Sequence, residues 1–331
     1  MRGLLLIAIA LVALFHGYAV ATVRLSKPVI SPEFEMSKYD NQLEKELPAR
    51  PFSLEYWSPD LIPKIYFNLW VNNVSYSPFD IGTVNVLYPD CPHYQVVSRH
   101  KNYEESWDSI FKRLSKVPVG MRQWTGNILF LPARSTTAFQ LGSSVTFTKA
   151  LHNLGVAAHE FTHVLDAFAL ADYVQANGYK PGTRYSETSM WADAYNRDSA
   201  TATPYGRTNW VENFADAGRF AMSDMTTQGG IISRHSNWSG IATQNANYRR
   251  RLEHIIFPEG FPRGGLCTGK VPGSPAVWKS TGEERDVNEG MDERKRKRNK
   301  HRVRRVPVGA ENIPIIVLPD FKSEPVVYRG P

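Results

Sequence analysis

The sequence has few cysteines, no long apolar run after its first residues and little net charge outside one short segment. Only two of its 331 residues are cysteines, whereas hydrophobic residues make up 42% and aromatic residues 12% of the chain. This composition excludes a disordered polymer, a collagen and a repeat array, and it allows a sizeable hydrophobic core. No segment beyond the N-terminus is long and apolar enough to predict stable membrane insertion.

Positive charge is concentrated in residues 294–305, whose sequence is RKRKRNKHRVRR. The chain has a net charge of +7, but this run holds nine Lys or Arg and no acid, so the rest of the chain carries −2. A surface for sequence-specific nucleic-acid binding is therefore not expected. We interpret the run as a processing site for a basic-residue endoprotease or as a tail that adheres to acidic surfaces.

The first 21 residues have the pattern of a secretory signal peptide. A positive start is followed by an apolar stretch over residues 3–15, and Ala19-Val20-Ala21 supplies small residues at the −3 and −1 positions. The stretch is too short to span a bilayer comfortably, although a membrane anchor is the alternative. We therefore predict cleavage after Ala21 and a secreted, extracellular protein.

Cys91 and Cys267 suit an oxidising compartment and allow a single intrachain pairing. A disulfide between them would close a long loop and stabilise the fold by a few kcal/mol. The alternatives are two free buried thiols, or a Cys91 that binds zinc and keeps a zymogen latent. Two sequons, at Asn73 and Asn237, are possible N-glycosylation sites.

Composition divides the chain after residue 21 into three parts. Residues 22–60 are polar and interrupted by prolines, which predicts an N-terminal arm or a propeptide. Residues 61–270 contain strand-like and helix-like patterns, and we expect them to form one catalytic domain. Residues 271–331 are rich in glycine, proline and charge, which predicts a basic, disordered C-terminal tail.

Local patterns predict the elements of the central part. Aromatic and β-branched content indicates strands at residues 66–71, 82–88 and 127–132. Alternation at residues 143–148 indicates an edge strand, which could pair with extended substrate or belong to a plain hairpin. Helical spacing of apolar residues predicts helices over residues 103–114, 151–171 and 209–222.

The segment His159-Glu160-Phe161-Thr162-His163 has the pattern HExxH between apolar flanks, which indicates a buried helix. The i, i+4 spacing places His159 and His163 on one face, where both imidazoles could bind one Zn²⁺. Glu160 is placed to take a proton from a zinc-bound water and pass it to a leaving amine. The alternative is a helix whose histidines are merely satisfied polar groups.

A catalytic zinc needs a third protein ligand, and the longer HExxHxxGxxH pattern is absent because Asp166 occupies the glycine position. The downstream acidic candidates are Glu187, Asp193, Asp198 and Glu212. Glu212 with Asp216 one turn later fits a ligand followed by a carboxylate that orients a zinc-bound histidine. Asn209 to Glu212 also resembles a capping box, in which Glu212 would only bond the helix N-terminus.

Residues 204–217, with the sequence PYGRTNWVENFADA, resemble the corresponding segment of the anthrax toxin lethal factor-like gluzincin metallopeptidases. The catalytic domain of that family also has the HEF-x-H helix. The resemblance covers roughly residues 124–224. It implies that His159, His163 and Glu212 bind one catalytic Zn²⁺, that Glu160 is the general base, and that Tyr205 donates to the oxyanion of the tetrahedral intermediate.

Two positions depart from the family pattern. Thr162 stands where the toxin has glycine, and we expect it on the outward side of its helix. Asp216 stands where the toxin has glutamate and is shorter, although Glu-x-x-x-Asp is a gluzincin pattern. The large substrate- and receptor-binding domains of the toxin do not fit in this chain.

The sequence thus predicts an α+β, zincin-like metalloprotease domain, with a small twisted sheet over the active-site helix and a second, glutamate-bearing helix. The predicted function is a secreted, zinc-dependent endopeptidase that acts on a protein or peptide substrate. One alternative is a catalytically weak secreted effector or binding protein on the same scaffold. Another is an aspzincin-type protease in which Asp193 is the third ligand.

Overall fold

The structure is a computed structural model that describes residues 24–72, 76–132, 138–148, 151, 153–286 and the backbone of 326–328. The predicted signal peptide, Asn73 and the basic run 294–305 lie outside these residues. Among the helices of the described residues, none combines the length and the apolar character needed to cross a membrane.

Helices and strands are interspersed along the described part of the chain. The helices are α1 (Met36–Glu46), α2 (Lys64–Asn72), α3 (Trp107–Lys116), α4 (Val119–Trp124), α5 (Leu154–Val164), α6 (Ala171–Ala176), α7 (Ser189–Arg197), α8 (Trp210–Thr226) and α9 (Ala242–Ile256). The strands are β1 (Ser53–Tyr56), β2 (Leu61–Pro63), β3 (Ile81–Leu87), β4 (Gln95–His100), β5 (Asn127–Phe130), β6 (Ala138–Leu141), β7 (Ser144–Phe147), β8 (Ala276–Trp278), β9 (Glu284–Arg285) and β10 (Val326–Tyr328). A π-helical turn, Leu165–Ala169, continues α5 toward α6.

The larger of the two sheets is mixed, with its strands in the order β1-β3-β4-β5-β7-β6-β10. The pairs β4–β5 and β5–β7 are parallel, and the other neighbouring pairs are antiparallel. The smaller sheet consists of β2, β8 and β9 in antiparallel pairs. The described residues therefore form a mixed architecture of helices and two sheets.

The main hydrophobic core joins the central strands to helices α3, α5, α8 and α9. On the sheet side, Phe130 of β5 stacks on Phe147 of β7, with ring centroids 5.4 Å apart. On the helix side, α5 and α8 approach so closely that a Cβ added at Gly218 would lie only 2.2 Å from Thr162 Oγ1. Burial of these apolar surfaces supplies the main driving force for bringing the two helices together.

Two predictions about strands are wrong. Residues 66–71 lie in α2, which begins directly after Pro63 ends β2. Their aromatic content reflects packing in a small core with Ile62 and Val277 rather than a strand. The segment 143–148 is not an edge strand, because β7 lies between β5 and β6, but the alternative of a hairpin strand is confirmed by its antiparallel pairing with β6. The short strand β6 pairs with β7 on the side that was expected to be free.

The predicted boundaries at residues 60 and 270 also differ from the structure. Between residues 24 and 60 the chain forms α1 and β1, and β1 pairs with β3 from Ser53 opposite Leu87. Beyond residue 270 the chain forms β8 and β9, and β8 pairs with β2. Composition alone could not reveal these segments, since each is held by a partner that is distant in sequence.

Candidate metal centre

Helix α5 presents the HExxH side chains, and its start is fixed by Asn153. The Asn153 side-chain oxygen accepts hydrogen bonds from the backbone N–H groups of Gly155 at 2.8 Å and Val156 at 3.1 Å. Such a cap satisfies donors that have no partner within the helix. His159 and His163 follow on one face of α5, and both are buried.

Helix α8 presents the acidic partners, and its start is fixed by Asn209. The Asn209 side-chain oxygen accepts the N–H of Glu212 at 2.9 Å. The carboxylate of Glu212 is turned toward the two histidines of α5. The Asn209 cap thus uses the backbone N–H of Glu212, whereas the Glu212 side chain takes part in the site. The capping-box alternative, in which Glu212 would only bond the helix N-terminus, is therefore wrong.

His159, His163 and Glu212 converge on one point. Glu212 Oε2 lies 3.0 Å from His159 Nε2 and 3.4 Å from His163 Nε2. One ligand atom from each of the three residues lies within 4.8 Å of the others. Two atoms that each bind a tetrahedral zinc at about 2.1 Å are about 3.4 Å apart. The trio therefore has donor types that suit Zn²⁺, and the two separations from Glu212 Oε2 are close to that spacing.

His159 is oriented by a chain of hydrogen bonds on its other side. Its Nδ1 lies 2.9 Å from Asp216 Oδ1, which leaves Nε2 directed at Glu212. The second oxygen of Asp216 accepts the Thr203 hydroxyl, and Thr203 Oγ1 in turn accepts the N–H of Gly206 at 2.9 Å. A carboxylate in this position fixes the ring orientation and tautomer of a metal-binding histidine.

Several buried polar atoms of the site have no hydrogen-bond partner among the described residues. They are both carboxylate oxygens of Glu160 and both ring nitrogens of His163. The 3.4 Å contact of His163 with Glu212 is close, but it does not have hydrogen-bonding geometry. Leaving such groups buried and unpaired costs free energy, and a cation bound at one ring nitrogen of His163 would reduce that cost. The residues present thus fit a divalent metal ion.

Burial and mutual interactions shift the ionisation of the whole cluster. Burial favours neutral His159, but the hydrogen bonds with Asp216 and Glu212 outweigh it and raise the pKa of His159 to about 10. Burial lowers the pKa of His163 to about 4 against the attraction of Glu212. Burial raises the pKa of Glu160 to about 8, although His159 opposes this change. For Glu212 burial is outweighed by the two histidines, which hold its pKa well below the ordinary value. Shifts of this kind concentrate at functional sites.

The structure places Tyr205 beside the trio, whereas the other candidate ligands lie elsewhere. The Tyr205 ring is half-buried, with its centroid 5.7 Å from that of His159. The remaining acidic candidates are engaged at other places or exposed: Asp198 accepts the N–H groups of Thr243 and Gln244, Glu187 accepts the N–H of Arg184, and Asp193 is exposed on α7.

Thr162 does not face outward as expected. It is fully buried, and its hydroxyl is 2.9 Å from the Tyr248 hydroxyl and donates to the Ala158 carbonyl at 2.7 Å. Its side chain packs directly against Gly218 of α8. The expectation is wrong because nearly all residues of α5 are buried, so the helix has no outward side at Thr162.

Cys91 and Cys267 are joined by a disulfide, with Cα atoms 5.1 Å apart. Both sulfurs are thereby engaged, so Cys91 is not a zinc ligand in this structure. Asn237 lies on the exposed turn that precedes a short helical segment, Trp238–Ile241, and its side chain donates to the Ser31 carbonyl.

A second buried network, around Arg184 and Asp166, lies next to the HExxH helix and was not predicted from the sequence. Arg184 donates to the His163 carbonyl at 3.2 Å and to Gln140 Oε1 of β6 at 2.9 Å. Asp166 accepts the N–H and the hydroxyl of Ser186 at 2.8 and 2.6 Å. Burial raises the pKa of Asp166 to about 6, although Arg184 opposes this. No local pattern points to these residues, since their partners are brought together only by the fold.

Comparison with known proteins gives one family and one relative. The family model described as conidiation-specific protein Con-13 matches residues 36–255. Conidiation-specific protein 13 of Neurospora crassa is 28% identical over 185 residues, which are 56% of this chain and 52% of that protein. The chain therefore spans about half the length of this relative. No solved structure matches the chain.

These matches contradict the predicted family and the predicted activity. Neither the family description nor the name of the relative describes a protease, and neither match points to a lethal factor-like gluzincin. The prediction of a zinc-dependent endopeptidase is therefore wrong, and the roles in peptide hydrolysis that the resemblance implied for Glu160 and Tyr205 lose their support. A short motif describes the face of a helix and its metal-binding chemistry, but it does not specify the reaction or the family.

Proposed function

We propose that this chain, which belongs to the family of conidiation-specific protein Con-13, is a zinc-binding protein with one Zn²⁺ site. His159, His163 and Glu212 would hold the ion. The observation that carries the proposal is the convergence of two imidazole nitrogens and one carboxylate oxygen, all within 4.8 Å of one another, in a buried cluster.

The donor set favours zinc over other common cations. Two neutral imidazoles with one carboxylate suit Zn²⁺, whereas Ca²⁺ and Mg²⁺ prefer oxygen donors alone. When bound, zinc would supply two positive charges and a Lewis-acid centre to the pocket. Those charges would compensate the buried carboxylates of Glu212 and Asp216, which are each 3% exposed.

Other residues of the chain would hold the zinc ligands in position. Asp216 accepts from His159 Nδ1 and so presents Nε2 to the trio. Arg184 holds the backbone of His163 through its carbonyl. Glu160 is buried beside the trio with both carboxylate oxygens unpaired among the described residues, so a cation at the trio would favour its charged form. The zincin-like relation of the two ligand-bearing helices is part of this proposal.

Secretion remains a proposal that rests on the pattern of residues 1–21. Two features of the described residues support it. A disulfide suits an oxidising compartment, and the sequon at Asn237 is exposed. The adhesion of residues 294–305 to acidic surfaces also remains a prediction.

Metal analysis of the purified chain tests the proposal. The protein is equilibrated with Zn²⁺, freed of unbound metal and measured by plasma mass spectrometry, and its affinity is measured by competition with a chromophoric chelator. We expect one zinc per chain. His163→Ala and Glu212→Ala should lose it, whereas His254→Ala and Asp193→Ala should retain it, because both control residues are exposed and outside the trio.

Two outcomes would overturn the proposal. The first is a folded wild-type chain that binds no zinc. The second is a Glu212→Ala variant that binds zinc as tightly as the wild type, which would place the ion elsewhere. Circular dichroism of each variant identifies any loss of zinc that results from unfolding.

A further inference from the structure

Helix α1 packs against both helices that carry the candidate zinc ligands. Its Asp40 is 8% exposed and accepts three hydrogen bonds. Arg219 of α8 donates through Nε at 3.0 Å and through Nη2 at 2.5 Å, and Asn153 donates through Nδ2 at 2.7 Å. We infer that Asp40 is a positioning residue of the metal centre, because it connects the helix of His159 and His163 to the helix of Glu212. This inference rests on the proposed zinc site.

The Asn153 partner connects Asp40 to the start of α5. One end of the Asn153 amide accepts the N–H groups that begin α5, and the other end donates to Asp40. Rotation or translation of α5 would therefore break either the cap or the bond to Asp40. Because a helix moves as a rigid body over such lengths, the position of His159 follows that of its N-terminus.

The Arg219 partner lies on the same stripe of α8 as the acidic residues of the site. Glu212, Asp216 and Arg219 have the i, i+4, i+7 spacing that places side chains on one helix face. One part of this face contacts the histidines, and another part contacts Asp40. Asp40 thus acts on the relative position of the two helices, which sets the distance from Glu212 Oε2 to the histidine nitrogens.

Gly155 shows how closely the first turn of α5 fits against this ion pair. A Cβ added at Gly155 would lie 1.8 Å from Asp40 Oδ1 and 2.5 Å from Arg219 Nε. No side chain could be accommodated there without displacing the pair. The backbone of α5 is therefore in direct contact with the link between α1 and α8.

The chain that precedes α1 supports the site in a second place. Leu25 donates its N–H to the Arg207 carbonyl at 2.9 Å, and Thr201 donates to the Pro28 carbonyl at 2.9 Å. The segment between these two contacts includes Thr203, whose hydroxyl binds Asp216. Residues 24–46 thus contact the metal centre through α5, through α8 and through the loop before α8.

Zinc affinity distinguishes positioning from a merely structural contribution. A residue that only stabilises the fold changes the free energy of unfolding, but the folded molecules keep their zinc affinity. A residue that sets the spacing of the ligands changes the affinity of the folded molecules as well. The test therefore needs both quantities, measured on the full chain under conditions where every variant is folded.

The test compares Asp40→Asn with Glu44→Gln, a matched variant on the same helix. Glu44 accepts from Arg113 at 2.9 Å and from Lys116 at 2.7 Å, and so it links α1 to α3, which carries no ligand of the trio. Zinc affinity is measured by chelator competition and stability by urea unfolding. Both variants should be less stable, but only Asp40→Asn should lose zinc affinity, by roughly tenfold or more.

Asn153→Ser provides a second, milder variant. Serine preserves the cap oxygen of α5 but lacks the amide that donates to Asp40. We expect its zinc affinity to fall several-fold with the helix content unchanged. Wild-type affinity in Asp40→Asn and Asn153→Ser, with reduced stability, would overturn the positioning role. A wild-type chain without zinc would instead overturn the proposed function, so the two failures are distinguishable.

Discussion

His159 and Asp216 are joined by a hydrogen bond of 2.9 Å between Nδ1 and Oδ1, while the other ring nitrogen of His159 lies 3.0 Å from Glu212. An imidazole can bind a metal through either nitrogen, so the bond at Nδ1 selects Nε2. Asp216 is itself held by Thr203. The orientation of one candidate ligand on α5 is therefore determined by α8 and by the loop that precedes it.

Asp216→Ala should weaken zinc binding by roughly ten- to a hundredfold, because His159 would lose the carboxylate that fixes its orientation. Chelator competition measures the change. Asp224→Ala is the control on the same helix, since Asp224 accepts from the backbone of Ile231 and Ile232 and pairs with Arg249. The control should be less stable with unchanged zinc affinity. Equal affinities of Asp216→Ala and the wild type would contradict the orienting role.

Gly218→Ala should destabilise the fold by about 1 to 3 kcal/mol, because the added methyl group would overlap Thr162 where α5 and α8 touch. Urea unfolding measures the free energy. The double variant Gly218→Ala/Thr162→Ala should be less destabilised than the sum of the single variants, because shortening Thr162 relieves part of the overlap. Strict additivity would show that the two residues do not limit the approach of the helices.

Replacing both Cys91 and Cys267 by alanine should lower the free energy of unfolding by about 2 to 5 kcal/mol. The two residues are separated by 176 positions, so the disulfide restricts a long loop of the unfolded chain. Urea unfolding of the wild type with and without a reducing agent should show a similar difference. A reducing agent should have no effect on the double variant, and an undiminished stability of that variant would contradict the prediction.

Stability should rise with pH above neutrality because of Lys270. Burial, together with Arg122, lowers the pKa of Lys270 to about 7, whereas an unfolded lysine holds its proton to about pH 10.4. Between these values the unfolded chain binds more protons, so a higher pH favours the folded state by up to about 1.4 kcal/mol per pH unit. Urea unfolding at pH 7, 8 and 9 measures the free energy of unfolding of the wild type and of Lys270→Met. The stability of the wild type relative to the variant should increase with pH, and a constant difference would refute the assignment.

The residues of the trio could be proposed from sequence because their spacing is local. The i, i+4 separation of His159 and His163 places them on one face of any α-helix. Glu212 and Asp216 follow the same rule on a second helix. The structure brings these four residues together. The distance between the two helices depends on the whole fold, so it could not be predicted from the spacing of the residues.

The residues that sequence reasoning missed depend on distant partners. Asp40 lies in a polar segment without a recognisable pattern, and its partner Arg219 is 179 positions away. A distant partner also explains why no strand was expected beyond residue 270, because β8 forms by pairing with β2. The family was predicted wrongly because the motifs that suggested it are short, whereas the matching family model extends over residues 36–255.

The disulfide between Cys91 and Cys267 closes a covalent ring that includes α5, α8 and Thr203, while Asp40 lies outside it. A single proteolytic cut within residues 92–266 would leave both pieces linked until the disulfide is reduced. A single cut between residues 47 and 90 would instead separate α1 from the ring, and only its packing and hydrogen bonds would retain it. One proteolytic cut can therefore end the covalent connection between α1 and the metal centre. One cut cannot end the covalent connection between the two ligand-bearing helices while the disulfide is intact.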